Sequence, residues 1–174
     1  GTSSLSQQKA VELYREGAIG ELNYVEAYID RFSHMGAWQY SIPPSASPQN
    51  IDWDTYLKDT ADIPFDAKRF VRYRIDEDYG TGIPGDLFVH LLSELHNITG
   101  SMGPNKIAAM GGLRVWDDGR DVTDIMLGMF EYPATKAHPA FNLTLRSNFT
   151  DGSGGGRHVR LVGSEGEMVL AGGT

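Results

Sequence analysis

The spacing of apolar residues changes character at about Gly100. Before it, the two clearest segments are helical. Residues 7–16 place Ala10, Val11 and Tyr14 at helical spacing, with Ser6 able to cap the first turn and Gly17 able to end the helix. Residues 85–98 carry the stronger signal: Leu87, Leu91, Leu95 and Ile98 form one stripe, while Asp86, His90, Glu94 and Asn97 form another. Between them, residues 22–32 are rich in Tyr and Val and predict a strand whose two faces are both at least partly covered. Residues 33–50 have no periodicity, and Pro43, Pro44 and Pro48 remove ladder donors, so an ordered loop or lid is expected there. Asp52 can cap a short helix carrying Trp53, Tyr56 and Leu57, and Pro64 breaks the chain again.

After Gly100 the period becomes two. Strands are expected over residues 106–115, 125–132, 141–149, 158–163 and 167–170, separated by short turns rich in Gly, Asp and Pro. In the third of these, Phe141, Leu143, Leu145 and Phe149 face one way and Asn142, Thr144, Arg146 and Asn148 the other, which gives one covered and one wetter face. Helices first and hairpins afterwards predict an α+β fold, an open and mostly antiparallel sheet with helices on one face.

Composition narrows the chemistry. The 174 residues suit a single domain, and the absence of cysteine removes disulfides, thiolate nucleophiles and Cys-based zinc sites. A net charge of −8 with no basic stripe argues against nucleic acid. Lys68, Arg69, Arg72 and Arg74 alternate with Phe70, Val71 and Tyr73 and read as a strand or turn. The longest apolar runs, such as residues 125–130, fall well short of the ~20 residues a membrane-spanning helix needs.

Three motifs invite chemistry. Gly80–Gly85 has the letters of the dinucleotide fingerprint G-x-G-x-x-G, but it precedes a helix that leads into hairpins, without the βαβ unit that the fingerprint requires, so it is not expected to bind a nucleotide. Asp86 and His90, four residues apart, fall on neighbouring helix-surface positions, where a carboxylate can raise the basicity of an imidazole for proton transfer at an alcohol. Spacing alone fits more readily an Asp stabilised by the helix dipole beside an ordinary histidine. His96 is turned away from His90 by its six-residue step, and no metal site is expected. Trp38, Tyr40, Trp53, Tyr73 and Tyr79 are expected mostly in the core, with sugar-stacking platforms drawn from the same set.

The order of these signals resembles the C-terminal, substrate-binding domain of the Gfo/Idh/MocA oxidoreductases. Ala10-Val11-Glu12-Leu13 with residues 16–22 is similar to that family's connecting helix and first long strand. Ile51-Asp52-Trp53-Asp54 with Phe65 and Arg69-Phe70 is similar to an aromatic-rich segment ahead of the catalytic helix. Gly85-Asp86-Leu87-Phe88-Val89-His90 fits the family's D-x-x-x-H element, and residues 163–168 its late hairpin. The resemblance runs from about Ala10 to Leu170 and reverses the balance at Asp86 and His90.

It implies a connecting helix and turn over residues 1–20 and a C-terminally truncated substrate domain over 21–174. NAD or NADP would serve the intact parent through a preceding domain, none binding to this fragment. His90 would take or give the proton at a substrate hydroxyl, and Asp86 would orient it or bind substrate. Tyr79, Arg74 and Trp38 are the candidates for contact with a sugar, polyol or sugar derivative. An NAD-dependent glycoside hydrolase on the same scaffold, and a non-catalytic binding domain that assembles through its sheet face, are the alternatives.

Overall fold

The computed structural model describes residues 4–60 and 62–171. The first helix, α1, spans Leu5–Arg15 and is capped by Ser4, two residues earlier than the expected Ser6; Ser4 Oγ accepts from Gln7 N at 3.3 Å. Gln7 and Ala10 turn inward. Gln7 is buried because its Nε2 donates to Glu94 O at 2.8 Å, which ties α1 to the later helix and satisfies a polar group that would otherwise be costly to bury.

Six strands form one sheet in the order β2-β3-β4-β1-β5-β6. They are β1 Leu22–Asp30, β2 Lys106–Gly112, β3 Ile125–Tyr132, β4 Phe141–Asn148, β5 Gly156–Gly163 and β6 Glu167–Ala171. β1 runs parallel to β4 and antiparallel to β5; the remaining pairs are antiparallel. The parallel pair is possible because a long crossover carrying all the later helices separates β1 from β4. The fold is therefore α+β with a mostly antiparallel open sheet.

The α4 helix, Val89–Thr99, lays Leu91, Leu95 and Ile98 into a core shared with Val25, Ala27, Phe141, Leu143, Leu145, Val159 and Leu161 of the sheet. Burying such side chains contributes roughly 1.5–3 kcal/mol each, so this contact holds helix to sheet. Gly100 ends α4 in the left-handed conformation at φ 73°.

Both faces of β1 are at least partly covered, as expected: helices take one, and on the other Tyr24, Glu26 and Tyr28 are partly screened by neighbouring side chains, with Tyr28 stacked on His158 and under Arg146. Other expectations are corrected. β1 ends at Asp30 and β2 at Gly112, where Asp124 accepts from the backbone N–H groups of Arg114, Val115 and Trp116 and folds them into a turn. The basic stretch is a helix, α3 Ala67–Val71, followed by a 3₁₀ turn Tyr73–Ile75. Asp66 caps α3 through Lys68 N and Arg69 N, so the alternation there belongs to a capped helical turn. A short α2, Trp53–Leu57, is capped by Asp52 as expected.

Candidate functional site

The stretch ahead of α4 is a π-turn, Pro84–Phe88, in place of a regular first helical turn. Pro84 supplies no N–H, which suits the start of a helix. Two glycines are required by close packing. A side chain at Gly85 would meet Thr81 at 2.2 Å, and one at Gly80 would meet Tyr73 O at 2.9 Å and Arg74 Cα at 3.0 Å. Gly80 thus lets the chain before the π-turn lie directly against the 3₁₀ turn, and that approach brings Arg74 to Asp86.

Arg74 Nε donates to Asp86 Oδ1 at 2.9 Å, with both side chains nearly one-third exposed. The guanidinium lies 4.6 Å from the Tyr73 ring centre and 6.0 Å from that of Tyr40. Burial works against its charge, but the hydrogen bond and charge of Asp86 outweigh burial and raise its pKa. Asp86 is therefore held by an arginine rather than by His90. The His90 imidazole is exposed and makes no hydrogen bond or ion pair with a described residue.

Tyr79, at the start of this stretch, stacks on Tyr56 at 6.0 Å and lies under Arg69 at 4.9 Å; Arg69 in turn pairs with Asp76 at 3.1 Å. Arg69 and Asp76 also line a polar cleft of about 210 Å³ with Lys68, Arg72 and Asp121. Trp38 is elsewhere in character: it is 1 % exposed, packs edge-on against Phe149 at 4.6 Å and adopts φ 66°. Its ring is core, and the aromatic faces near Asp86 are those of Tyr40 and Tyr73. His96 donates to or accepts from Tyr132 OH at 2.8 Å, so it serves the core side of α4. Among the described residues no cluster of three His, Asp or Glu side chains could hold a metal.

Sequence reasoning missed the frame around the loop of residues 33–40. Arg120, its side chain wholly buried, holds Asp118 through Nε and Nη2 and donates to Ala37 O at 2.7 Å. Gln39 Nε2 donates to Asp118, and Arg72 donates to Tyr40 O at 2.7 Å. Arg120 and Asp118 are two residues apart, but their contacts to Ala37 and Gln39, and that of Arg72 to Tyr40, join residues 32 to 83 apart, beyond any local pattern. The only cue was the density of Arg and Asp around residues 117–121.

No family profile matches the sequence, and no curated protein matches it. Solved structures do match. A probable dehydrogenase from Thermotoga maritima superposes with a TM-score of 0.59 at 13% identity, over 98% of this chain and 39% of its own. An inositol dehydrogenase homologue complexed with NAD+ from Azotobacter vinelandii gives 0.59 at 14% identity, over 95% and 35%. A levoglucosan dehydrogenase in complex with NADH gives 0.58 at 15% identity, over 92% and 35%. The chain thus shares a fold with a part of these dehydrogenases and spans a little over a third of their length.

Proposed function

We propose that this chain is the substrate-binding domain of an NAD(P)-dependent oxidoreductase of the Gfo/Idh/MocA family, acting on a sugar, polyol or sugar derivative. The observation that carries the reading is the position of Asp86 and His90. In a fold shared with dehydrogenases, Asp86 lies part-exposed in the π-turn that leads into α4 and His90 lies exposed in the first turn of α4, and the His90 imidazole has no structural partner to serve. An exposed, uncommitted imidazole four residues after a fixed carboxylate suits a group that accepts a proton from a substrate hydroxyl. Asp86, oriented by Arg74, binds that substrate or aligns it, and Tyr79 and Arg74 complete the contact surface.

NAD or NADP is the cofactor of the whole protein in this reading. The described residues do not fit the dinucleotide themselves: Gly80 and Gly85 make room for the neighbouring chain and for Thr81, and the segment opens a π-turn and not a βαβ phosphate loop. The chain's own contribution is therefore to bind and orient substrate and to move one proton at His90.

The same reading assigns the open sheet face to self-association. Met110, Leu127, Met129 and Val169 are about half exposed or more, and strand register places all four on the face that carries no helix. The reading is tested in the full-length protein with NAD+ or NADP+ and a panel of polyols and sugars. Reduced nicotinamide should form with the native protein and fall sharply on His90→Ala.

A further inference from the structure

The loop of residues 36–40 buries Ala37 and Trp38 and leaves Tyr40 half-buried, and it is bonded along almost its whole length. Arg31 Nη1 donates to Gly36 O at 2.9 Å, and buried Arg120 donates to Ala37 O at 2.7 Å. Gln39 is held at both ends of its amide: its Nε2 donates to Asp118, and its Oε1 accepts from Arg72 Nη1. Arg72 Nε also donates to Tyr40 O at 2.7 Å, so one guanidinium grips two successive loop residues. Between these bonds Trp38 adopts φ 66°, a conformation unfavourable for a residue with a side chain and kept only where its surroundings impose it.

Arg72 is followed directly by Tyr73 and Arg74, so the residue that grips the loop stands next to the two that meet its end. The Arg74 guanidinium has the Tyr73 ring centre 4.6 Å away and the Tyr40 ring centre 6.0 Å away, and its Nε donates to Asp86 Oδ1 at 2.9 Å. Each ring attracts the cation, and two rings together limit how far the guanidinium can swing. Position therefore passes by contact from Arg72 to Tyr40, from Tyr40 to Arg74 and from Arg74 to Asp86. A loop gripped at residues 36, 37, 39 and 40 is not free to open as a lid does.

We infer that residues 36–40 are a fixed wall of the candidate site, in which Tyr40 is a specificity-determining residue and Arg72 its positioning residue. The inference rests on the proposed placement of substrate at Asp86 and His90. Tyr40 is half-buried, so part of its ring stays open one guanidinium away from the Asp86 carboxylate. A ring held in one place offers the flat apolar face on which the C–H surface of a pyranose or cyclitol packs, and an open-chain polyol presents no such surface. The wall thus favours cyclic substrates over open-chain ones.

Two measurements test the inference. In this chain, exchange of the Arg74 Nε–H proton with water, followed by NMR, should be roughly tenfold faster in Tyr40→Ala and in Arg72→Gln. The double variant should exchange no faster than Tyr40→Ala, because Arg72 acts through Tyr40, and Tyr40→Phe, which keeps the ring, should restore slow exchange. Tyr40→Ala alone carries this arm should Arg72→Gln not fold. In the full-length protein, Tyr40→Ala should raise KM roughly tenfold for cyclic sugars and cyclitols and by less than about twofold for open-chain polyols, with kcat little changed. Exchange indifferent to Tyr40→Ala, additive effects in the double variant, or equal losses for cyclic and open-chain substrates would each overturn it. Native-like turnover of cyclic substrates by Tyr40→Ala would overturn it and leave the oxidoreductase reading intact. Exchange altered as expected, with no turnover of any sugar or polyol by the native protein, would remove the oxidoreductase reading and leave the fixed wall standing.

Discussion

Arg74 and Asp86 stand 12 residues apart in sequence and meet at 2.9 Å, so the carboxylate four residues before His90 is already committed to a guanidinium. Asp86 is fixed in place before any ligand arrives, and its partner is supplied by the 3₁₀ turn that Gly80 allows to pack close. Asp86→Asn should lower kcat of the full-length protein while changing stability by about 1 kcal/mol or less, because the pair is partly exposed and screened. Steady-state kinetics beside a urea melt checks both halves.

Trp38→Ala should behave in the opposite way. The ring is buried against Phe149, and removing it should cost about 3–5 kcal/mol of stability, as for other large-to-small changes in a core. KM for substrate in any folded fraction should stay unchanged. A stable Trp38→Ala protein with a raised KM would restore the ring to the binding surface.

His96 gives the chain a pH dependence. Burial, and then the nearby His138, lower its pKa below 6.5. The folded state thus disfavours the imidazolium, so the stabilisation is present above the unfolded pKa and is lost as pH falls through 6.5 and below. Thermal melting should drop from pH 7.5 to pH 5, and His96→Gln should flatten the part of that slope due to this group. Tyr132, which bonds His96, has its pKa pushed up to about 12 by burial, so its hydroxyl remains protonated throughout this range.

The open sheet face should hold copies of the full-length protein together. Leu127 and Met129 are 47% and 62% exposed on β3, and a charge at either should be tolerated by the fold but not by an interface. Sedimentation of Leu127→Glu should show a smaller species than the native protein; an unchanged mass would remove this face from the assembly.

What the sequence made legible was whatever repeats locally. The two-residue period at Phe141, Leu143 and Leu145 identified β4 and its buried face, and the stripe of Leu91, Leu95 and Ile98 identified α4, because burial on one side of a regular element imposes its period directly. The π-turn was not legible, since it depends on how Thr81 fits against Gly85. Nor was the partner of Asp86, for Arg74 lies in a stretch whose alternation imitated a strand while Asp66 capped a helix. Trp38 belonged both to the set expected mostly in the core and to the candidates for substrate contact; its burial, with the Arg120 contact to Ala37 beside it, depends on long-range packing that no local pattern shows. The candidate residues could be picked by type and spacing, but their partners came from contacts across the fold.

The most direct test of the account is the turnover of the full-length protein with a polyol or sugar and NAD+ or NADP+, native against His90→Ala. Reduced nicotinamide should form in proportion to substrate, with kcat lowered by roughly 10²–10⁴-fold in the variant and melting unchanged, since the His90 imidazole is exposed and unpartnered. Native-like turnover by a folded His90→Ala protein would contradict it.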